Sequence, residues 1–178
     1  MENTHNTSEE YINTAWIEKL ALEELNMEES GVISLNEHLD PRLFLEESSI
    51  NFMNNLRDRF EVYVTRFNQY RTSAKGLGQI KIFKIANTVN DFMLFRNSLR
   101  LVFSRKSTDL ISISFLSNGK EIFSPRLRNE DSIQNQSHEI KAHIGPFNDI
   151  SWKFRGEEFE VDALVRHYLS EFIRLSSR

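Results

Sequence analysis

The hydrophobic period of the chain changes twice, and this limits the fold more than any other feature. From Met53 through Leu56, Phe60, Tyr63, Phe67 and Tyr70 the apolar positions lie three or four residues apart, with Arg57, Asp58, Arg59, Glu61, Arg66 and Arg71 between them. That is the spacing of one face of an α-helix, and it predicts a helix over 49–73. After Lys75-Gly76-Leu77-Gly78 the period falls to two and β-branched or aromatic residues dominate, which predicts strands over 80–85, 99–103, 110–116 and 121–123. Further strands are expected at 138–144 and 150–154, on either side of the Gly145-Pro146 break, and Arg155-Gly156 closes this second run. Helical spacing returns with Leu164, Val165, Tyr168, Leu169, Phe172 and Ile173, behind Asp162 as the expected cap.

This order predicts an α+β fold, with N-terminal helices and a C-terminal helix packed on a mostly antiparallel sheet. The chain has 178 residues, 39% of them hydrophobic, which suits one core. The expected organisation is a disordered N-terminus over 1–7 and a single domain over 8–178, helical in 8–73, sheet in 79–155 and helical again in 160–175. Ser8 followed by Glu9 and Glu10 reads as a helix start, Ile12, Trp16 and Leu20 recur at helical spacing with Leu22 and Leu25 nearby, and Gly31 ends the run. Asp40-Pro41 repeats a start signal, so Leu43, Phe44 and Leu45 are expected on a short helical turn. Asn118-Gly119 reads as a type I′ hairpin turn, because both central positions need φ > 0. Residues 91–97 satisfy both periods and are read as strand, whereas 129–137 are polar and read as a mobile loop.

Charge is divided along the chain. Residues 1–47 carry 12 acids against Lys19 and Arg42, a balance of −10, whereas 48–128 carry 14 bases against five acids, a balance of +9. Such a division suits an acidic segment folded over a basic one, and equally a basic surface that meets an anionic partner. Fourteen of the 22 bases are Arg, whose guanidinium pairs bidentately with carboxylate as readily as with phosphate, so composition does not separate the two. The candidate anion contacts are Arg96, Arg100, Arg105, Lys106, Arg126 and Arg128.

Several chemistries lack their residues. With no cysteine there is no disulfide, thiolate nucleophile or Cys-ligated metal, a composition that fits a reducing compartment, and no cofactor is expected. His138 and His143, five apart on a strand, point to opposite faces, and His167 with Glu171 lacks the second helical His of a zinc motif, so no metal is expected. There is no G-x-S-x-G elbow, and the two glycines of 75–79 run from helix into strand, the reverse of a phosphate-binding loop. Glu157, Glu158 and Glu160 beside the last helix read as capping and solvation. No stretch approaches the roughly 20 apolar residues of a membrane helix, and the first residues are acidic where a signal peptide is basic, so the expected location is the cytoplasm, away from any membrane.

What remains is the material of interfaces. The expectation is a non-catalytic protein-interaction module that self-associates or meets a protein partner, with Phe60, Tyr63 and Phe67 on the strongest helix as contact residues, and a homodimer seam there as one form. Nucleic-acid or anion binding through the basic region 48–128 is the first alternative, since aromatic residues interleaved with Arg on a sheet can stack bases. A small-ligand or catalytic pocket between helices and sheet, lined by Trp152, Tyr168, His143 and His167, is the second.

Overall fold

The computed structural model describes residues 12–32, 40–71, 78–117, 120–122 and 138–177. They fall into two compact units that divide between Asp40 and Pro41. The expected disorder of 1–7, the Ser8 cap, the Asn118-Gly119 turn and the 129–137 loop lie outside the described residues.

Among the described residues the first unit contributes one helix, α1 (Ala15–Ser30). It starts six residues later than a Ser8 cap implies, with Asn13 and Thr14 at its N-terminus. The Ala15 N–H donates to Asn13 Oδ1 at 3.0 Å, Thr14 is the N-cap residue, and its hydroxyl donates to Glu18 Oε1 at 3.2 Å. Gly31 ends the helix as expected, in a left-handed conformation with φ 66° that lets its N–H reach Met27 O at 2.9 Å.

The second unit opens with α2 (Pro41–Tyr70), which joins the expected short turn and long helix into one. Pro41 occupies the first helical position, where its missing N–H costs nothing, and no Gly or Pro interrupts the ladder between it and Tyr70. Eight strands come next: β1 (Lys81–Lys84), β2 (Phe92–Arg96), β3 (Leu99–Ser107), β4 (Leu110–Ser117), β5 (Lys120–Ile122), β6 (His138–Ile144), β7 (Ile150–Phe154) and β8 (Glu157–Glu158), before α3 (Val161–Ser176). Their order is β1-β2-β3-β4-β6-β7-β8, with β5 paired to the far end of β4. Every pairing is antiparallel, so the fold is α+β on an antiparallel sheet.

Of residues 91–97, 92–96 form a strand, and the turn at their end explains the double pattern. Arg96 pairs with Leu99 across Asn97 and Ser98, both at positive φ (48° and 71°), so a two-residue turn reverses the chain in the middle of an apparent helical face. The cap of α3 also differs from expectation. Glu160 has the extended backbone of the cap position, while Asp162 sits inside the first turn and pairs with Arg59.

One face of the sheet carries the core. Phe92, Leu94, Leu101, Phe103, Ile111, Phe115 and Ile140 alternate inward along the strands and meet Met53, Leu56 and Phe60 of α2 and Val165, Tyr168 and Phe172 of α3. Phe92 stacks on Phe103 with centroids 4.9 Å apart and 13° between planes, and Phe60 lies 5.0 Å from Phe103. Both helices therefore lie on the same side of the sheet.

Candidate functional site

The helix expected to offer a partner surface uses its best face inside the molecule. Phe60 is fully buried against Phe92 and Phe103, and Phe67 is half-buried against the core and lies under the Arg96 guanidinium, 5.5 Å from its carbon. Of the three residues expected at a contact, Tyr63 is the exposed one. The apolar period of α2 is thus the period of a core helix, and periodicity alone does not say whether the surface it meets belongs to the same chain or another.

The arginines of the basic region separate in the same way. Arg96, 1% exposed, sits at the end of β2 and holds three parts of the chain together. Its Nε donates to Gly78 O at 2.8 Å, and its Nη1 donates to Ile173 O at 3.3 Å and to Ser176 Oγ at 3.1 Å, near the C-terminus of α3, where a cation complements the helix dipole. Arg105 turns toward α2 and donates Nη1–H to Glu46 Oε1 and Ser49 Oγ. Arg100 points the other way. It belongs to a cross-strand row of Lys81, Phe95, Arg100 and Leu116 on the sheet face opposite α2 and α3. Lys106 is exposed at the end of β3, and Arg126 and Arg128 lie outside the described residues.

The four residues expected around a pocket do not meet. Tyr168 is buried, with its hydroxyl 2.5 Å from His138 Nδ1, and His167 packs edge-on against the Tyr168 ring. His143 is exposed and neighbours Ala142, whose register partner is Trp152, so His143 and Trp152 are on opposite faces of the sheet. Trp152 lines a cleft of about 280 Å³ with Phe52, Phe159 and Val161. Its ring stacks on Phe52 at 5.1 Å and its Nε1–H donates to Ser48 Oγ at 3.1 Å. A larger, open depression of about 630 Å³ runs along α2, lined by Asn51, Asn54, Asn55, Asp58, Arg59 and Tyr63 among others. At its rim Arg59 Nη1 donates to Asp162 Oδ1 at 2.5 Å, a bond that raises the Arg59 pKa. Among the described residues no three His, Asp or Glu side chains converge as metal ligands, and no helix is long and apolar enough to cross a membrane.

The surface that stands out is α1. Trp16, Ile17, Leu20, Leu22 and Leu25 are all exposed, as is Ile12 just before the helix, and α1 buries no residue. Trp16, Ile17 and Leu20 share one face, while Leu22 and Leu25 lie on the opposite one. Five glutamates and one lysine are interspersed along it. Apolar spacing alone assigns these residues to packing. The signal that separates them is local: residues 1–40 hold ten acids against Lys19, a density of like charge that suits a segment outside a core. A comparison with protein-family models, curated proteins and solved structures finds no match for this chain.

Proposed function

We propose that the chain is a protein-interaction module that docks through α1 into an apolar groove bordered by Lys and Arg on a partner protein. The observation that carries this reading is the exposure of Trp16, Ile17, Leu20, Leu22 and Leu25 on a single 16-residue helix. Helices of that length are marginal in water and normally draw their stability from a packed apolar face. An apolar surface on both sides of a helix suits a groove that embraces it.

Charge selects the partner. Two copies of α1 side by side bring Glu18, Glu24, Glu28 and Glu29 against their equivalents, and Lys19 is the one base within the helix, so helix-on-helix pairing of identical copies is disfavoured. A basic rim reverses that sign and adds a faster encounter rate. Burying Trp16, Leu20 and two further side chains is worth roughly 6–12 kcal/mol gross. Much of this is offset by the cost of association and of ordering the segment, which leaves micromolar, reversible binding of the kind signalling contacts use. The nucleic-acid alternative is weaker, because of its three described arginine candidates Arg96 is buried and Arg105 is paired with an acid.

The test places a photo-crosslinking amino acid at Leu25 in the full chain in its own cells, then reconstitutes the captured protein with purified chain. The expected result is micromolar binding that weakens at least about tenfold in Trp16→Ala/Leu20→Ala and weakens with salt between about 0.05 and 0.5 M. Crosslinks confined to second copies, or a reconstituted complex indifferent to the double substitution, would overturn the reading.

A further inference from the structure

We propose that Arg71 and Arg96 form a binding site for a phosphate-class dianion beside Gly78. The geometry is set by the missing side chain of Gly78. A Cβ built there would lie 3.4 Å from Arg71 Nε, 3.4 Å from Arg71 Nη2 and 3.7 Å from Arg96 Nη2, so both guanidinium groups lie on the same side of Gly78. Gly78 has φ 82°, a conformation that favours glycine and leaves no side chain between the two groups and the backbone.

The second observation concerns Arg96 itself. Its Nε and Nη1 are committed to Gly78 O, Ile173 O and Ser176 Oγ, and these bonds fix the guanidinium plane. Its Nη2 is buried with no hydrogen-bond partner. A role confined to tying α3 to the chain around Gly78 accounts for Nε and Nη1. It explains neither the unpaired Nη2 nor the approach of a second cation to it. Among the described residues no carboxylate pairs with Arg71 or Arg96. Burial, and after it the neighbouring Arg71 charge, lower the Arg96 pKa, the direction expected of two cations with no anion between them.

The donors define the ligand. Two planar guanidinium forks match the oxygens of phosphate or of a phosphomonoester, and two charges balance two cations where a single carboxylate leaves one uncompensated. Arg71 is exposed, so the ligand arrives from its side. Recognition rests on the side chains of Arg71, just past α2, and of Arg96 on β2, in contrast to a phosphate loop, which uses backbone N–H groups.

The experiment titrates the full chain with inorganic phosphate, with phenyl phosphate and with chloride, at fixed ionic strength in a buffer free of phosphate, by calorimetry and by thermal unfolding. The expected result is saturable binding of one phosphate per chain, an upward shift of Tm with phosphate and none with chloride. Arg71→Gln should unfold at the same temperature as the parent without ligand and bind at least about tenfold more weakly. Arg174→Gln, an exposed change on α3 that removes the same charge, should bind as the parent does. If phenyl phosphate binds as tightly as phosphate, the site accepts a phosphomonoester; if only phosphate binds, it takes the free ion, and either supports the site. Absence of saturable binding overturns the proposal, as does equal binding by Arg71→Gln or an equal loss in Arg174→Gln.

Discussion

Arg105 Nη1 meets Glu46 Oε1 at 2.9 Å, and the same nitrogen donates to Ser49 Oγ at 2.8 Å. Glu46 belongs to the acidic stretch 1–47 and Arg105 to the basic stretch 48–128, so within the unit that begins at Pro41 the two halves of the charge division meet here. The contact joins β3 to the second turn of α2. The Arg105 side chain is 12% exposed and that of Glu46 44%, so the two ends of the pair are unequal. Removing the arginine takes away two hydrogen bonds at its sheltered end, and Arg105→Ala should lower the unfolding free energy by about 1.5–3 kcal/mol. Glu46→Gln leaves a group that still accepts and should cost about 0–1 kcal/mol. Urea denaturation of both variants checks the ordering.

Phe60 and Tyr63, three residues apart on α2, should behave as opposites. Phe60 is fully buried and touches the Phe92/Phe103 stack, so Phe60→Ala opens a cavity and should cost about 3–5 kcal/mol. Tyr63 is 42% exposed, and Tyr63→Ala should cost about 1 kcal/mol or less. Equal losses in urea denaturation would mean that the inner face of α2 has been misplaced.

The class of the fold is readable because each element announces itself through spacing that does not depend on its neighbours. Met53, Leu56, Phe60 and Val64 repeat as a helix whatever they pack on, and Ile111, Ile113 and Phe115 alternate as a strand. Turns without glycine are harder. Asn97-Ser98 turns the chain as tightly as Asn-Gly does, but Ser98 carries no signature of positive φ, and residues 91–97 fit both periods as a result. Surface roles are the least legible. Arg96, Arg100 and Arg105 are the same residue type within ten positions, yet one is buried under α3, one lies on the opposite sheet face and one is paired with α2. Their fates depend on strand register and on long-range partners such as Ser176 and Glu46, which no local pattern encodes.

The Asn97-Ser98 turn supports a stabilising change. Ser98 is exposed at φ 71°, a conformation that strains any residue with a Cβ. Ser98→Gly removes the strain and restores the preferred Asn-Gly pair, although glycine loses more entropy on folding. The balance should be a gain of about 0.5–1 kcal/mol, visible as a raised urea midpoint with an unchanged slope. A loss would show that the Ser98 side chain contributes an interaction of its own.

Helix α1 should be nearly invisible to global stability, and this separates a docking segment from a piece of core. Its apolar side chains have little buried area to lose: Trp16 is 63% exposed, Leu22 63% and Leu20 41%. Trp16→Ala and Leu20→Ala should each change the unfolding free energy by less than about 0.5 kcal/mol, as surface substitutions do. Backbone amides of 19–30 should exchange with solvent far faster than those of β2 and β3, because a 16-residue helix that buries no side chain opens without unfolding the sheet. The two tryptophans give an independent reading. Trp152 is half-buried against Phe52 and bonded to Ser48, so acrylamide should quench the Trp16 fluorescence of a Trp152→Phe variant more strongly than the Trp152 fluorescence of a Trp16→Phe variant. Slow exchange across α1, or weak quenching of Trp16 in the free protein, would mean that the helix is already covered and would remove the basis for docking through it.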